Sequence, residues 1–167
     1  HLLATNLVGF NQVMASLVLD GLAPGAVVAV LSSEVVGQPR HGLAGYAVSK
    51  AALEDAIRGW RLEQPGVRFC RVRVGATQPT EFGTTFDAEA LGPILEDWVR
   101  NGLLPTSFMD TGELATVLAG VVGSMVAFEG ITMEEVLLRP SAPAMTDVAE
   151  LGADPDPDPD RPAGGAA

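Results

Sequence analysis

Six consecutive apolar residues, Ala26-Val-Val-Ala-Val-Leu31, follow a Pro24-Gly25 break and end on Ser32-Ser33. A run this short and continuous has no polar face to offer water. It predicts a strand covered on both sides, as in a parallel sheet. Parallel strands need crossover connections, and these are usually helices. The flanking sequence supplies them. Leu3, Leu7, Phe10, Met14 and Leu17 recur at helical spacing and predict a helix over 2–18, ended between Gly21 and Gly25. Leu2, Val13 and Val18 widen its apolar stripe, which argues for burial against a sheet and against a partner subunit. Leu53, Ile57 and Trp60 mark the core stripe of a second helix over about 44–63, with Glu54 and Arg58 placed for an i,i+4 pair and Pro65-Gly66 as its stop.

Val67 to Val74 reads as the next strand. Arg71 and Arg73 share one face of it, which the sequence alone does not account for. After a loop over 75–85, Leu91, Leu95 and Trp98 predict a short helix over 88–99, either a mobile lid or a plain surface helix. Asp110 with Glu113 resembles a capping box before the stripe Leu114, Val117, Leu118, Val121 and Met125. Ile131 to Leu138 reads as a last strand. Strands alternating with helices predict an α/β fold, a parallel sheet with right-handed crossovers. Three strands make an incomplete sheet, with open edges and uncovered helix faces.

The domain is expected over 1–140. From 141 to 167 the composition shifts to an acidic, Pro-rich segment that includes Asp154-Pro-Asp-Pro-Asp-Pro-Asp160 and is expected to be a disordered tail. The formal charge of −11 argues against nucleic acid and anionic membrane surfaces as partners. One cysteine, Cys70, excludes an internal disulfide framework and suggests a reducing compartment, the cytoplasm. Two histidines and one cysteine make a metal site unexpected. Residues 2–19 are uncharged, but Thr5, Asn6, Asn11, Gln12 and Ser16 interrupt them, so a buried helix is expected rather than a membrane span. The chain opens on His1 without a methionine, as a processed product or a piece of something longer would.

Residues 33–50 hold the only tyrosine and the only lysine of the 167 residues, Tyr46 and Lys50. Every other basic side chain apart from histidine is arginine. A single surviving lysine suggests a place where guanidinium will not serve, because lysine is compact and its pKa shifts. Four residues apart, Tyr46 and Lys50 share a helix face. An ammonium beside a phenol favours the phenolate and lowers its pKa, which makes an acid/base of tyrosine. The plain alternative is a buried Tyr and a solvated Lys. Ser33 follows the buried strand, at the end where open α/β sheets bind ligands, or it is simply a turn or cap residue.

Taken together these residues resemble the short-chain dehydrogenases/reductases, in the C-terminal part of that family's fold, which implies a partial Rossmann-like doubly wound parallel sheet. Tyr46-Ala-Val-Ser-Lys50 resembles the family's Tyr-x-x-x-Lys signature, and Ser49-Lys-Ala-Ala-Leu53 its usual continuation. Ser33 lies thirteen residues before Tyr46, at the place of the family's serine. Thr5-Asn6-Leu7-Val8-Gly9 resembles the segment that carries the family's asparagine, 27 residues before Ser33. The resemblance implies a catalytic set of Asn6, Ser33, Tyr46 and Lys50. Tyr46 would exchange a proton with the substrate oxygen. Lys50 would lower the Tyr46 pKa and hold the ribose of NAD or NADP. Ser33 would position the carbonyl, and Asn6 would hold a water that relays protons from Lys50. The resemblance also implies a small-molecule ketone or secondary alcohol as substrate, and a homo-oligomer formed through helices 2–18 and 44–63.

Two departures stand out. The family's Pro-Gly after this strand is replaced by Gly75-Ala76, and either Thr77 or Thr80 would hold the nicotinamide amide. Thr80 is preferred, since Thr80-Glu-Phe82 resembles the usual continuation, which makes Gly75 and Thr80 the cofactor-binding candidates beside Tyr46 and Lys50. The glycine-rich Gly-x-x-x-Gly-x-Gly turn for the pyrophosphate is absent from this sequence. The chain therefore reads as the catalytic half of an oxidoreductase, inactive alone. The alternatives are a non-catalytic subunit that keeps the fold for association, and the related epimerase/dehydratase branch.

Overall fold

The computed structural model describes residues 1–150; most of the expected tail, 151–167, lies outside them. Three strands form a parallel sheet: β1 (Val27–Ser33), β2 (Arg68–Val74) and β5 (Glu135–Leu138), in the order β1-β2-β5. Val27 sits opposite Arg68 and Ser33 opposite Val74, while Arg71 to Val74 pair with Glu135 to Leu138. Helix α1 (Phe10–Leu19) follows a π-helical stretch, Ala4–Gly9. Helix α2 (Ala44–Glu63) joins β1 to β2. Helices α3 (Ala88–Arg100) and α4 (Thr111–Ala127) lie between β2 and β5. A short parallel pair, β3 (Thr77–Gln78) with β4 (Met109–Asp110), was not foreseen. It ties the loop after β2 to the start of α4, and two residues per strand are too few to leave a pattern.

The alternation of a strand sends neighbouring residues to opposite faces, and here each face has its own core. On one face, Phe69 with Met14, Leu53 and Ile57 gathers α1 and α2 against the sheet. On the other, Cys70 and Val72 pack with Met125 of α4. A third cluster lies off the sheet, where Val35 and Leu43 meet Ile94, Trp98 and Val99 of α3 together with Leu104 and Met145. Helix α3 is thus docked by its apolar stripe, and Trp98 donates its indole N–H to the His41 carbonyl at 2.9 Å. Gly42 in the turn before α2 has a φ of 77°, and a Cβ there would meet Ile94 Cδ1 at 2.8 Å. The turn needs glycine both for its left-handed backbone and for room against α3.

Several expectations change. Residues 141–150 belong to the folded part: Met145 is buried, its N–H bonds the Leu104 carbonyl at 2.7 Å, and Ala144 bridges Pro105. The charged composition beyond hid one apolar anchor. β5 is shorter than expected, running only over Glu135–Leu138, although the Glu134 carbonyl before it accepts from Arg71 N–H at 3.0 Å. β1 is not covered on both sides along its length: it is an edge strand, Val27 packs in the α4 cluster, and Leu31 further along is half exposed. Helix α1 buries only Met14 fully, leaving Val13 and Leu19 exposed. No helix among the described residues is long and apolar enough to cross a membrane.

The expected Glu54–Arg58 pair does not form; Arg58 bonds Asp55 instead. Glu54 turns inward and is 2% exposed. It accepts from Ser32 Oγ at 2.7 Å and from Arg73 at 2.8 and 2.7 Å, with Arg71 at 3.0 Å. Glu135 of β5 pairs with the same two arginines. This accounts for the paired arginines of β2: they lie on the face under α2, where one glutamate from the helix meets them. Asp110 accepts from the N–H groups of Gly112 and Glu113 at 2.7 and 3.0 Å, so it caps α4. Asp110→Ala is expected to destabilise the protein by about 1 kcal/mol, read as a lower urea midpoint with an unchanged slope.

Candidate active site

The C-terminal end of β1, the first turn of α2 and the loop after β2 enclose a pocket of about 500 Å³. Of the candidates, Ser33, Tyr46, Gly75 and Thr80 line it, and so does Thr77. Asn6 and Lys50 do not. Ser33 arrives there because β1 runs two residues past its apolar stretch. It has a second task, since its Oγ accepts from Val35 N–H at 3.4 Å and caps the turn Glu34–Val36. Tyr46 stands in the first turn of α2, which the Gly42 turn aims across the end of β1.

The Ser33 side chain lies near enough to the Tyr46 phenol to favour its ionised form. Burial pushes the phenol above the ordinary tyrosine value, and Ser33 only partly offsets this. The expected lowering by Lys50 is therefore not found. The Lys50 ammonium sits 5.9 Å from the Tyr46 ring centroid and donates to the Leu31 carbonyl at 3.1 Å. Burial lowers its own pKa. Asn6 lies in the π-helical stretch and donates to Ser49 Oγ at 2.9 Å; Ser49 donates to the Tyr46 carbonyl at 2.8 Å. Asn6 thus reaches the backbone of the Tyr46 turn through a buried serine, and Ser49 belongs to the arrangement unforeseen.

Thr77 is half-buried, with its hydroxyl on the Gly75 carbonyl at 3.0 Å, whereas Thr80 is exposed at the pocket. That leaves the Thr80 side chain the freer of the two for a ligand. Gly75 donates its N–H to the Leu138 carbonyl at 2.8 Å. A Cβ on it would stand 3.0 Å from Glu34 Oε2 and 3.1 Å from the Leu138 carbonyl oxygen. Glycine is required there by β5 and Glu34 before any cofactor is considered. Gly75→Ala is expected to cost about 1–3 kcal/mol, measured by thermal unfolding.

Two features of the pocket went unread in the sequence. One is the ion cluster in its wall: Glu34 pairs with Arg40 and, at 3.0 Å, with Arg139. The other is a file of rings. Tyr46 meets Phe82 edge-on at 5.3 Å, Phe82 meets Phe86 at 5.9 Å, and Phe86 meets Trp98 at 6.3 Å. The phenylalanines fall in the loop 75–85 and at its end, where no periodicity assigns them a side.

No family model matches the sequence, and no curated protein matches it. Solved structures do. A FabI–NADH complex from Alistipes finegoldii superposes with a TM-score of 0.61 at 17% identity, over 80% of this chain and 46% of that one. A short-chain dehydrogenase/reductase from Serratia marcescens gives 0.59 at 19% identity, over 81% and 53%. A short-chain dehydrogenase from Burkholderia cenocepacia in complex with NADP gives 0.57 at 20% identity, over 80% and 51%. The fold is the Rossmann-like α/β fold of the short-chain dehydrogenases/reductases. The chain spans about half the length of the structures it matches.

Proposed function

We propose that this chain carries the acid/base half of an NAD(P)-dependent oxidoreductase that interconverts a ketone and a secondary alcohol. The observation that carries this reading is that Ser33 and Tyr46 line the same pocket, with the Ser33 side chain near enough to act on the Tyr46 phenol. A carbonyl oxygen placed there takes two hydroxyl donors. Ser33 orients it, and Tyr46 gives its proton to the developing alkoxide. With its pKa raised, Tyr46 is held as the neutral phenol at neutral pH, the form reduction requires. In the reverse direction Tyr46 must first lose its proton, so alcohol oxidation is expected to rise with pH. Asn6 and Ser49 hold the turn on which Tyr46 stands.

The residues suit the nicotinamide end of a dinucleotide, which supplies the hydride when bound. Lys50 spends one of its three donors on Leu31 and has two left for ribose hydroxyls. Thr80 at the pocket suits the amide. The pyrophosphate end finds no glycine-rich turn in this sequence, so we assign that grip to residues outside this chain. The reducing cytoplasm is the proposed location, in keeping with a single buried thiol, Cys70, whose pKa burial raises.

A second reading, a subunit kept for association, draws on the exposed apolar residues Val13 at 58%, Leu19 at 87%, Val48 at 60% and Leu62 at 85%. We infer self-association through α1 and α2; a monomer by light scattering at micromolar concentration would remove it. The redox reading is tested by titrating NADPH and NADH against the protein and following nicotinamide fluorescence. Binding with ketone turnover that Tyr46→Phe abolishes supports it. Binding with turnover indifferent to Tyr46 overturns it, and no binding to the isolated chain favours the association reading.

A further inference from the structure

We propose that the substrate is an uncharged carbonyl compound with an aryl body, selected by the ring file that runs from Tyr46 to Trp98. The chemistry assigned to this substrate rests on the redox reading; its recognition rests on the pocket alone.

The pocket's lining is of two kinds. Hydroxyls come from Ser33 and Tyr46, with Thr77 and Thr80, and an apolar wall comes from Leu43, Leu91, Leu95, Leu104 and Phe108. Phe82, Phe86 and Trp98 line the pocket as well, each meeting the next edge-to-face and the first meeting Tyr46. Edge-to-face contacts hold successive ring planes at 61°, 66° and 83°. Such a file offers alternating faces and edges, and an aryl group completes it more favourably than an alkyl group of equal area. The first ring of the file belongs to Tyr46 itself. A substrate whose carbonyl reaches Ser33 and Tyr46 therefore lays its body along the file.

Charge is the second selector. Only Glu34 and Arg40 among the pocket's lining residues carry it, and they pair with each other. Their side chains are 8% and 9% exposed, and the Arg40 guanidinium lies 5.6 Å from the Trp98 ring centroid. Arg40 Nε is shut off from solvent and so lies beyond an incoming ligand's reach. Arg139, which also holds Glu34, does not line this pocket. A substrate carboxylate or phosphate would enter an apolar cavity and find its one cation already engaged. Burying an anion without a partner is costly enough to exclude it. The volume of about 500 Å³ lies within the usual range for small-molecule pockets.

The test is a binding measurement that needs no dinucleotide. Trp60 bonds Asn11 at 2.8 Å and does not line the pocket, so Trp60→Phe leaves Trp98 as the only indole. Three probes are titrated against its fluorescence: 4-phenyl-2-butanone, 2-butanone and phenylpyruvate. Saturable quenching by 4-phenyl-2-butanone is expected, with phenylpyruvate and 2-butanone each weaker by about tenfold or more. Phe86→Leu should weaken 4-phenyl-2-butanone about three- to tenfold and leave 2-butanone unchanged. Phe82 is 42% exposed, so Phe82→Leu, expected to act the same way, provides a variant whose folding is not at stake. Phenylpyruvate binding as tightly as the neutral ketone would overturn the proposal. So would absence of saturable quenching by 4-phenyl-2-butanone, or indifference to both ring variants. A failed redox reading leaves these results intact, and a failure here leaves the redox reading standing.

Discussion

Tyr46→Phe is expected to lower ketone turnover by about 10²- to 10⁴-fold in any preparation that binds the dinucleotide, with a small change in KM. The ring remains, so the contact with Phe82 and the packing of the first turn of α2 are retained. Only the proton donor is lost. A variant that lost turnover because α2 had moved would also lose substrate binding, and that separates the two causes. The wild-type pH profile provides a second check. Burial raises the Tyr46 phenol, so reduction should hold through neutral pH and fall only in strongly alkaline solution, while oxidation climbs over the same range. Tyr46 is the sole tyrosine. The near-ultraviolet absorbance of tyrosinate therefore titrates this one group, without any variant. A midpoint below that of free tyrosine would contradict the raised value.

Glu54→Ala is expected to destabilise the fold by about 3–5 kcal/mol. Glu54 is 2% exposed, and three groups from two strands converge on it. Its removal leaves Arg71 and Arg73 with Glu135 alone and Ser32 without its acceptor. Glu54→Gln keeps an acceptor for Ser32 and should cost less. Burial tends to raise the Glu54 carboxyl, but the Arg73 and Ser32 hydrogen bonds, together with the charges of Arg71 and Arg73, outweigh it and hold the carboxyl below its usual range. A depressed folded pKa contributes stability above the unfolded carboxylate pKa of about 4.3. That contribution is lost as pH falls through the folded value. Urea unfolding across the acid range should show this loss in the parent protein and a shallower one in Glu54→Gln.

The elements that the sequence made legible were those whose pattern is local. The run 26–31, the stripe through Leu53 and Ile57, and the Asp110 cap depend on neighbours within a turn or two, and each lies close to where it was expected. Ser33 and Tyr46 were singled out because two spacings coincided, and both line the pocket. Glu54 was misread for the same local reason. Its i,i+4 relation to Arg58 is visible in sequence, whereas its partners on β1 and β2 are fixed only when α2 crosses the sheet. The pKa of Tyr46 was misjudged because spacing reveals a neighbouring charge but not the solvent withheld by α3 and the loop before it. The ring file and the Glu34 cluster join residues brought together by the loops, and no period records them.

Among the described residues, β1 pairs with β2 along one side only. The strand that ends in Ser33 therefore has a rim of amide and carbonyl groups that no strand takes up, with Lys50 holding the Leu31 carbonyl on it. Whatever joins that rim would set the strand's coil and, through it, the spacing between the Ser33 hydroxyl and the Tyr46 ring. Assembly and chemistry would then be mechanically linked, so that a partner strand acts as a tuning element for the reaction although none of its side chains enters the pocket.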